Sequence, residues 1–210
     1  MSLLAGISIT IDFDYSCIDE RLTKEYLADL VQSNARDIYG SEVKCYVELS
    51  EGSVKANLLI VGSIYAAICG YGSFRSGIDY IIKDAKLIKD LFASQLIRKG
   101  MHEEDIIDLR RIHSAPDKIR RVILAIERLE SNIGKLSPEV VKAELHKIHT
   151  SVRNMSHALD DRDYELFVSS LKEEYVPVDR RLPESKMNQK LFARDEDTRF
   201  ILPTVLGKEG

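Results

Sequence analysis

The stretch Ile7-Ser8-Ile9-Thr10-Ile11-Asp12-Phe13-Asp14-Tyr15 alternates between apolar and polar side chains. A period of two with β-branched residues is typical of a strand that buries one face. Outward from it, residues 18–39 form a helical pattern that ends at Gly40, and alternation returns over 43–50 and 54–60, around a glycine-containing break. Such paired runs predict a hairpin. Residues 4–61 therefore predict a β-α-β-β unit with a small, mostly antiparallel sheet.

Helical periodicity dominates the sequence after Gly62. The apolar stripe of the first long helix comprises Phe74, Ile78, Ile81, Ala85, Ile88 and Phe92. Further helices are predicted over 103–113, 117–134, 138–160 and 163–174. Three prolines and alternating charges then predict an extended or disordered C-terminal arm. We expect an α+β fold divided into a sheet-and-helix region, a helical region and the arm: 1–98, 99–175 and 176–210.

The composition of the chain excludes several classes of protein. The 210 residues carry a formal net charge of −4, with 44% hydrophobic and 30% charged residues. These values exclude wholesale disorder and a polytopic membrane protein, and they lack the basic excess of a typical nucleic-acid-binding protein. Three scattered cysteines predict reduced thiols, and no secretory signal is visible. We expect a cytoplasmic protein without a nucleic-acid partner.

Two carboxylates close the first strand, where Asp12 and Asp14 are spaced i, i+2 and share a strand face. Such a pair can bind Mg²⁺ or place a nucleophile beside an acid. The stretch Asp12-Phe13-Asp14-Tyr15-Ser16 resembles the first motif of haloacid-dehalogenase-like phosphatases, Asp-x-Asp-x-Thr/Val after an apolar strand. Tyr15 stands where that family usually has glycine, and no parallel βαβ series follows. The alternative is the polar face of an amphipathic strand.

Histidines offer a second metal hypothesis. His146, His149 and His157 lie on one face of the helix predicted over 138–160. Histidines at i, i+3, as at His146 and His149, can bind zinc with a carboxylate. The apolar stripe of this helix lies nearly opposite, so a solvated face is the alternative.

Glycines and basic residues suggest anion sites. The run from Gly70 to Gly77 fails both the dinucleotide-binding and the Walker A templates, although the following helix start could bind an anion. A second cluster surrounds Pro116, where internal carboxylates such as Asp105 and Asp108 could instead neutralise the charge. The candidate anion-binding residues are Ser73, Arg75, Arg110, Arg111, Arg120 and Arg121.

Three functional interpretations remain. The first is a non-catalytic interaction or regulatory protein that works through helical faces and the arm, with a protein partner or a second copy and with no cofactor. The second is a metal- or phosphate-dependent enzyme using Asp12 and Asp14. The third is membrane contact through residues 56–69, although this stretch is shorter than the roughly 20 apolar residues of a span. The apolar Phe200-Ile201-Leu202 within a charged arm predicts docking. A homodimer is the favoured arrangement, and the alternative is that the patch folds back on the helical region of its own chain.

Overall fold

A computed structural model of the chain describes residues 1–50, 53–69 and 73–179 and confirms the α+β fold. Four strands form one antiparallel sheet in the order β2-β3-β1-β4. The strands are β1 (Ser2–Asp14), β2 (Lys44–Ser50), β3 (Ser53–Gly62) and β4 (Ile106–Ile112). The helices are α1 (Glu20–Tyr39), α2 (Ile64–Ile68), α3 (Phe74–Arg98), α4 (Ala115–Asn132), α5 (Pro138–Met155) and α6 (Asp161–Ser169).

The sheet buries one face against helices, as the alternation predicts. Ile7 and Ile9 of β1 and Leu58 and Ile60 of β3 are fully buried, and α1 and α3 pack against the sheet. The predicted stripe of α3 is buried from Ile78 to Phe92. On the other face of β1, the Ser8 hydroxyl is buried and has no hydrogen-bond partner among the described residues.

Residues 106–112 form a strand, so the helix predicted over 103–113 is wrong. Glu103–Asp105 form a 3₁₀ turn, and Arg110 and Arg111 lie within β4. The pairing of β4 with β1 explains the difference, because this central strand needs a hydrogen-bonding partner on its second edge and the isoleucines of this stretch suit a sheet. The sheet therefore crosses the boundary predicted at residue 99, and the division into domains stays a prediction.

The buried faces of two elements were also predicted incorrectly in part. Phe13, expected on the buried face, is 56% exposed because the pairing with β4 ends at Ile11 and the register against β3 shifts between Ile11 and Asp14. The helical pattern of residues 18–39 places Leu22 and Tyr26 on the same apolar stripe as Val31, yet both are exposed in α1. The buried positions of this helix are the expected Val31 together with Leu27, Ala35 and Tyr39.

The glycine-containing connection after β3 allows two helices to meet closely. Ser63 caps α2, and Ser73 caps α3 by accepting a hydrogen bond from the backbone N–H of Ser76 at 3.3 Å. At Gly77, a Cβ atom would lie 2.7 Å from Cβ of Ile68. This residue is therefore glycine because α2 and α3 pack together there. Residues 70–72 of the glycine run lie outside the described residues.

A buried carboxylate ties the first strand to the helical region. Asp163 of α6 is fully buried, and its oxygens accept hydrogen bonds from the hydroxyls of Ser2 at 2.6 Å and Ser63 at 3.1 Å. They also accept from the backbone N–H groups of Ile64 and Tyr65, each at 3.0 Å. Because a buried charge requires such partners, this cluster fixes α6 against β1 and the start of α2.

We expect Asp163→Ala to lower the free energy of unfolding by about 3 kcal/mol, because several buried donors lose a charged acceptor. Urea unfolding followed by circular dichroism measures this loss. The control is Asp29→Ala, an exposed carboxylate on α1, with an expected change within about 0.5 kcal/mol. Equal losses in the two variants would contradict the assigned role of Asp163.

Candidate binding groove

The candidate metal ligands lie in separate parts of the fold. Asp12 and Asp14 occupy the exposed end of β1. Asp14 accepts a hydrogen bond from the backbone N–H of Ser16 at 2.9 Å, which lowers the pKa of its carboxyl, and it thereby caps a short 3₁₀ turn. On α5, His146 is exposed and Nε2 of His149 lies 2.9 Å from the carbonyl oxygen of Glu174. No group of three metal-ligating side chains occurs within the described residues.

Internal carboxylates contact most of the basic residues that the sequence suggests as anion ligands. Arg120 Nε lies 2.6 Å from Asp79, and Arg75 contacts both Asp79 and Glu127. The Arg120–Asp79 and Arg75–Glu127 contacts join α3 to α4. On β4, Arg110 Nε lies 3.4 Å from Asp108, in agreement with one of the proposed internal pairs.

Arg111 forms the most buried of these ion pairs. Its two terminal nitrogens donate to the Asp117 carboxylate at 2.8 and 2.5 Å, and Ser114 donates to the same group from its backbone N–H and its hydroxyl. Burial alone would raise the pKa of Asp117, but the hydrogen bonds from Arg111 and Ser114 outweigh it and hold the pKa below its usual value. The pair anchors the start of α4 to β4.

Arg121 differs from the other candidates because it lines an open groove between α4 and α5. The groove has a volume of about 450 Å³. Ala125 on its wall is exposed. Its floor is formed by three apolar side chains of the two helices that also belong to the hydrophobic core. These are Val122, Ile148 and Met155.

Three cations surround this floor: Lys118 and Arg121 from α4, and Lys147 from α5. Lys147 Nζ lies 2.6 Å from Glu144, so its charge is paired. Lys118 and Arg121 take part in none of the ion pairs formed by the part of the chain that the structure describes. The groove therefore combines an apolar floor with two uncompensated positive charges, which suits a ligand that carries carboxylates beside apolar groups.

Sequence patterns identified only part of this groove. Lys118 and Arg121 stand out because they oppose the dipole of the helix that they open. Lys147 lies on the polar face of α5 beside the histidine row, and nothing local relates it to α4. Only the packing of the two helices brings these residues together.

Comparisons with known proteins identify no relative of this chain. No family model matches the chain, and neither a curated protein nor a solved structure matches it. Nor is any helix among the described residues both long and apolar enough to cross a membrane.

Acid should remove the contribution of the Arg111–Asp117 pair to stability. Because the folded-state pKa of Asp117 is depressed, its contribution is full above the unfolded pKa of about 4 and is lost as the pH falls through the lower folded pKa. Urea unfolding between about pH 6 and pH 2 should therefore show a smaller loss of stability in Asp117→Asn than in the unmodified protein. Identical pH dependence would contradict this assignment.

Proposed function

We propose that this chain is a non-catalytic protein-binding protein whose α4–α5 groove binds a partner segment with carboxylates next to apolar side chains. One observation carries this proposal: Lys118 and Arg121 lie beside an apolar floor without carboxylate partners in the described residues. Grooves between helices are a recurring mode of peptide recognition, with apolar anchors on the floor and charges at the rim.

The expected affinity is moderate. An exposed ion pair contributes about 0.2–1 kcal/mol, and the apolar floor adds about 25 cal/mol for each Å² that it buries. Association should therefore weaken with salt, because the cations are exposed and the Debye length is about 8 Å at physiological ionic strength. Such affinity is typical of regulatory contacts that form and dissociate rapidly.

The two other interpretations have less support. An enzyme using Asp12 and Asp14 would need converging groups at the exposed end of β1, yet neither carboxylate lines the groove. Membrane contact through residues 56–69 would expose apolar side chains that β3 and α2 bury in the core. These are Ala56, Leu58, Ile60, Ile64 and Ala67.

A cytoplasmic location remains part of this proposal. Cys17, Cys45 and Cys69 are free thiols, which suits a reducing compartment. Burial raises the pKa of the Cys45 thiol to about 11, so that it stays protonated and unreactive at neutral pH.

Peptide binding tests the proposed function. The probes are fluorescent peptides of about ten residues in which acidic side chains precede apolar ones, and control peptides replace each carboxylate by an amide. We expect Arg121→Glu to weaken binding of the acidic peptides about tenfold, because one attraction becomes a repulsion worth about 1.4 kcal/mol overall. Fluorescence anisotropy provides the measurement, with mixed-sequence DNA and RNA expected not to bind.

The matched control is Arg128→Glu, an exposed residue of α4 outside the groove. It makes the same change in net charge and should leave peptide affinity within about twofold of the original. Equal weakening by the two variants would show a general charge effect and contradict a role for the groove.

Self-association is a second candidate, favoured by an apolar stripe on the outer face of α3. Tyr80, Leu87 and Leu91 are all at least 36% exposed, although their helix buries its opposite side in the core. A second copy could cover this stripe in a two-fold dimer, the commonest oligomer.

Sedimentation tests the dimer. The unmodified chain should sediment as a dimer at tens of micromolar, and Leu87→Lys should shift it to a monomer by placing a charge in the apolar contact. Lys83→Leu is the opposite control, because it adds apolar surface next to the stripe and should preserve the dimer. A monomer for the unmodified chain at these concentrations would refute self-association.

A further inference from the structure

The sequence beyond Asp179 contains a segment whose chemistry matches the groove. Asp195-Glu196-Asp197 provide three consecutive carboxylates, and Phe200-Ile201-Leu202 follow after only two residues. The groove carries its exposed cations next to an apolar floor. Acidic and apolar residues are thus neighbours in the sequence of this segment, and cations and apolar side chains both line the groove.

We infer that residues 195–202 occupy the α4–α5 groove of the same molecule and compete there with partner segments. This inference rests on the proposed function, because it assigns one ligand to the same groove. Docking of the arm on a second subunit, expected from the sequence alone, is the alternative outcome of the test.

The chain leaves the core beside the helices that form the groove. Nε2 of His149 on α5 lies 2.9 Å from the carbonyl of Glu174, and Tyr175 donates a hydrogen bond to Glu130 of α4 at 3.2 Å. Lys172 also contacts Glu130, at 2.6 Å. The exit of the arm is therefore fixed on α4 and α5 themselves.

The connecting length is sufficient for docking within one molecule. The roughly 16 residues from Asp179 to Asp195 span at most about 55 Å when extended, whereas a helix with its side chains is only about 10–12 Å wide. A tether of this length that spans the distance gives an effective concentration in the millimolar range. A second copy at tens of micromolar would be outcompeted by the tethered segment.

Other cavities suit this segment less well. The cavity nearest the chain end carries Glu165 and Glu173, which would repel the acidic residues. A further cavity contains Arg75 and Lys172, whose charges are already paired with Glu127 and Glu130. The groove between α1 and α3 contains Arg98 and Lys99, but Asp29 faces the same space and its apolar residues are limited to Tyr26 and Leu30.

Occupation of the groove by the arm would regulate partner binding. A partner segment must displace the arm, so the apparent affinity of the partner falls by the fraction of molecules in which the groove is free. Removing the acidic charges from the arm should release the arm from the groove without changing the residues that line the groove.

The test compares the full chain with an arm variant, Asp195→Lys, Glu196→Lys and Asp197→Lys, by methyl NMR of Ile148 and Met155. We expect the groove signals to differ between the two proteins and to be unchanged over an about tenfold dilution. A free peptide with the sequence of residues 193–204, added to the arm variant, should return these signals to their positions in the unmodified chain. The acidic probe peptides should bind the arm variant about tenfold more tightly than the unmodified chain.

Each of the other possible results would contradict the inference, and each points to a different alternative. Groove signals that change on dilution would assign the arm to a second copy. Identical groove signals in the two proteins, with the free peptide binding the arm variant, would show that the groove is open in the full chain. Identical signals without binding of either the free peptide or the acidic probes would refute the proposed function as well. Arg128→Glu, outside the groove, should leave every signal of the full chain's groove unchanged.

Discussion

The buried Asp163 carboxylate is the contact on which the arrangement of the helices depends. It accepts hydrogen bonds from Ser2 at the start of β1 and from the residues that begin α2, which are distant in sequence. Because these donors would otherwise be buried without partners, α6 has one favourable position against the sheet. That position brings Phe167 of α6 to 6.3 Å from Phe74 of α3, measured between ring centroids.

The groove between α4 and α5 is a consequence of how charges are paired elsewhere in the helical region. At the start of α4, Asp117 forms an ion pair with Arg111 of β4. One turn later, Arg120 of α4 forms an ion pair with Asp79 of α3. These pairs orient α4 so that Arg120 points toward α3 and Arg121, one residue on, lines the groove beside α5. Adjacent arginines thus differ: Arg120 positions the helix, and Arg121 forms no ion pair within the part of the chain that the structure describes.

The sequence alone predicted those strands and helices whose apolar residues repeat with a clear period. The alternation of β1 to β3 and the long stripe of α3 needed no distant contact to be recognised. Residues 106–112 required one, because their isoleucines and charges fit a helix end as well as an edge strand until β1 is present to pair with them. The role of Asp163 could not be predicted from the sequence either, because aspartate is common in the first turn of a helix. Only the fold brings Ser2 and the start of α2 to its carboxylate. For the same reason the sequence indicated Lys118 and Arg121 but not the groove that they line.

Tethering would give a groove of modest affinity a regulatory use. Two exposed cations and a small apolar floor support a dissociation constant of about 100 μM for a short segment, so the contact forms and dissociates rapidly. The same contact within one chain experiences an effective concentration of about 1 mM, so about nine-tenths of the grooves would be closed. A partner then needs only slightly more apolar contact or charge than the arm to displace it. Because the competing attractions are exposed ion pairs, the balance between arm and partner is set by net charge, and any modification that changes the charge of either segment shifts it.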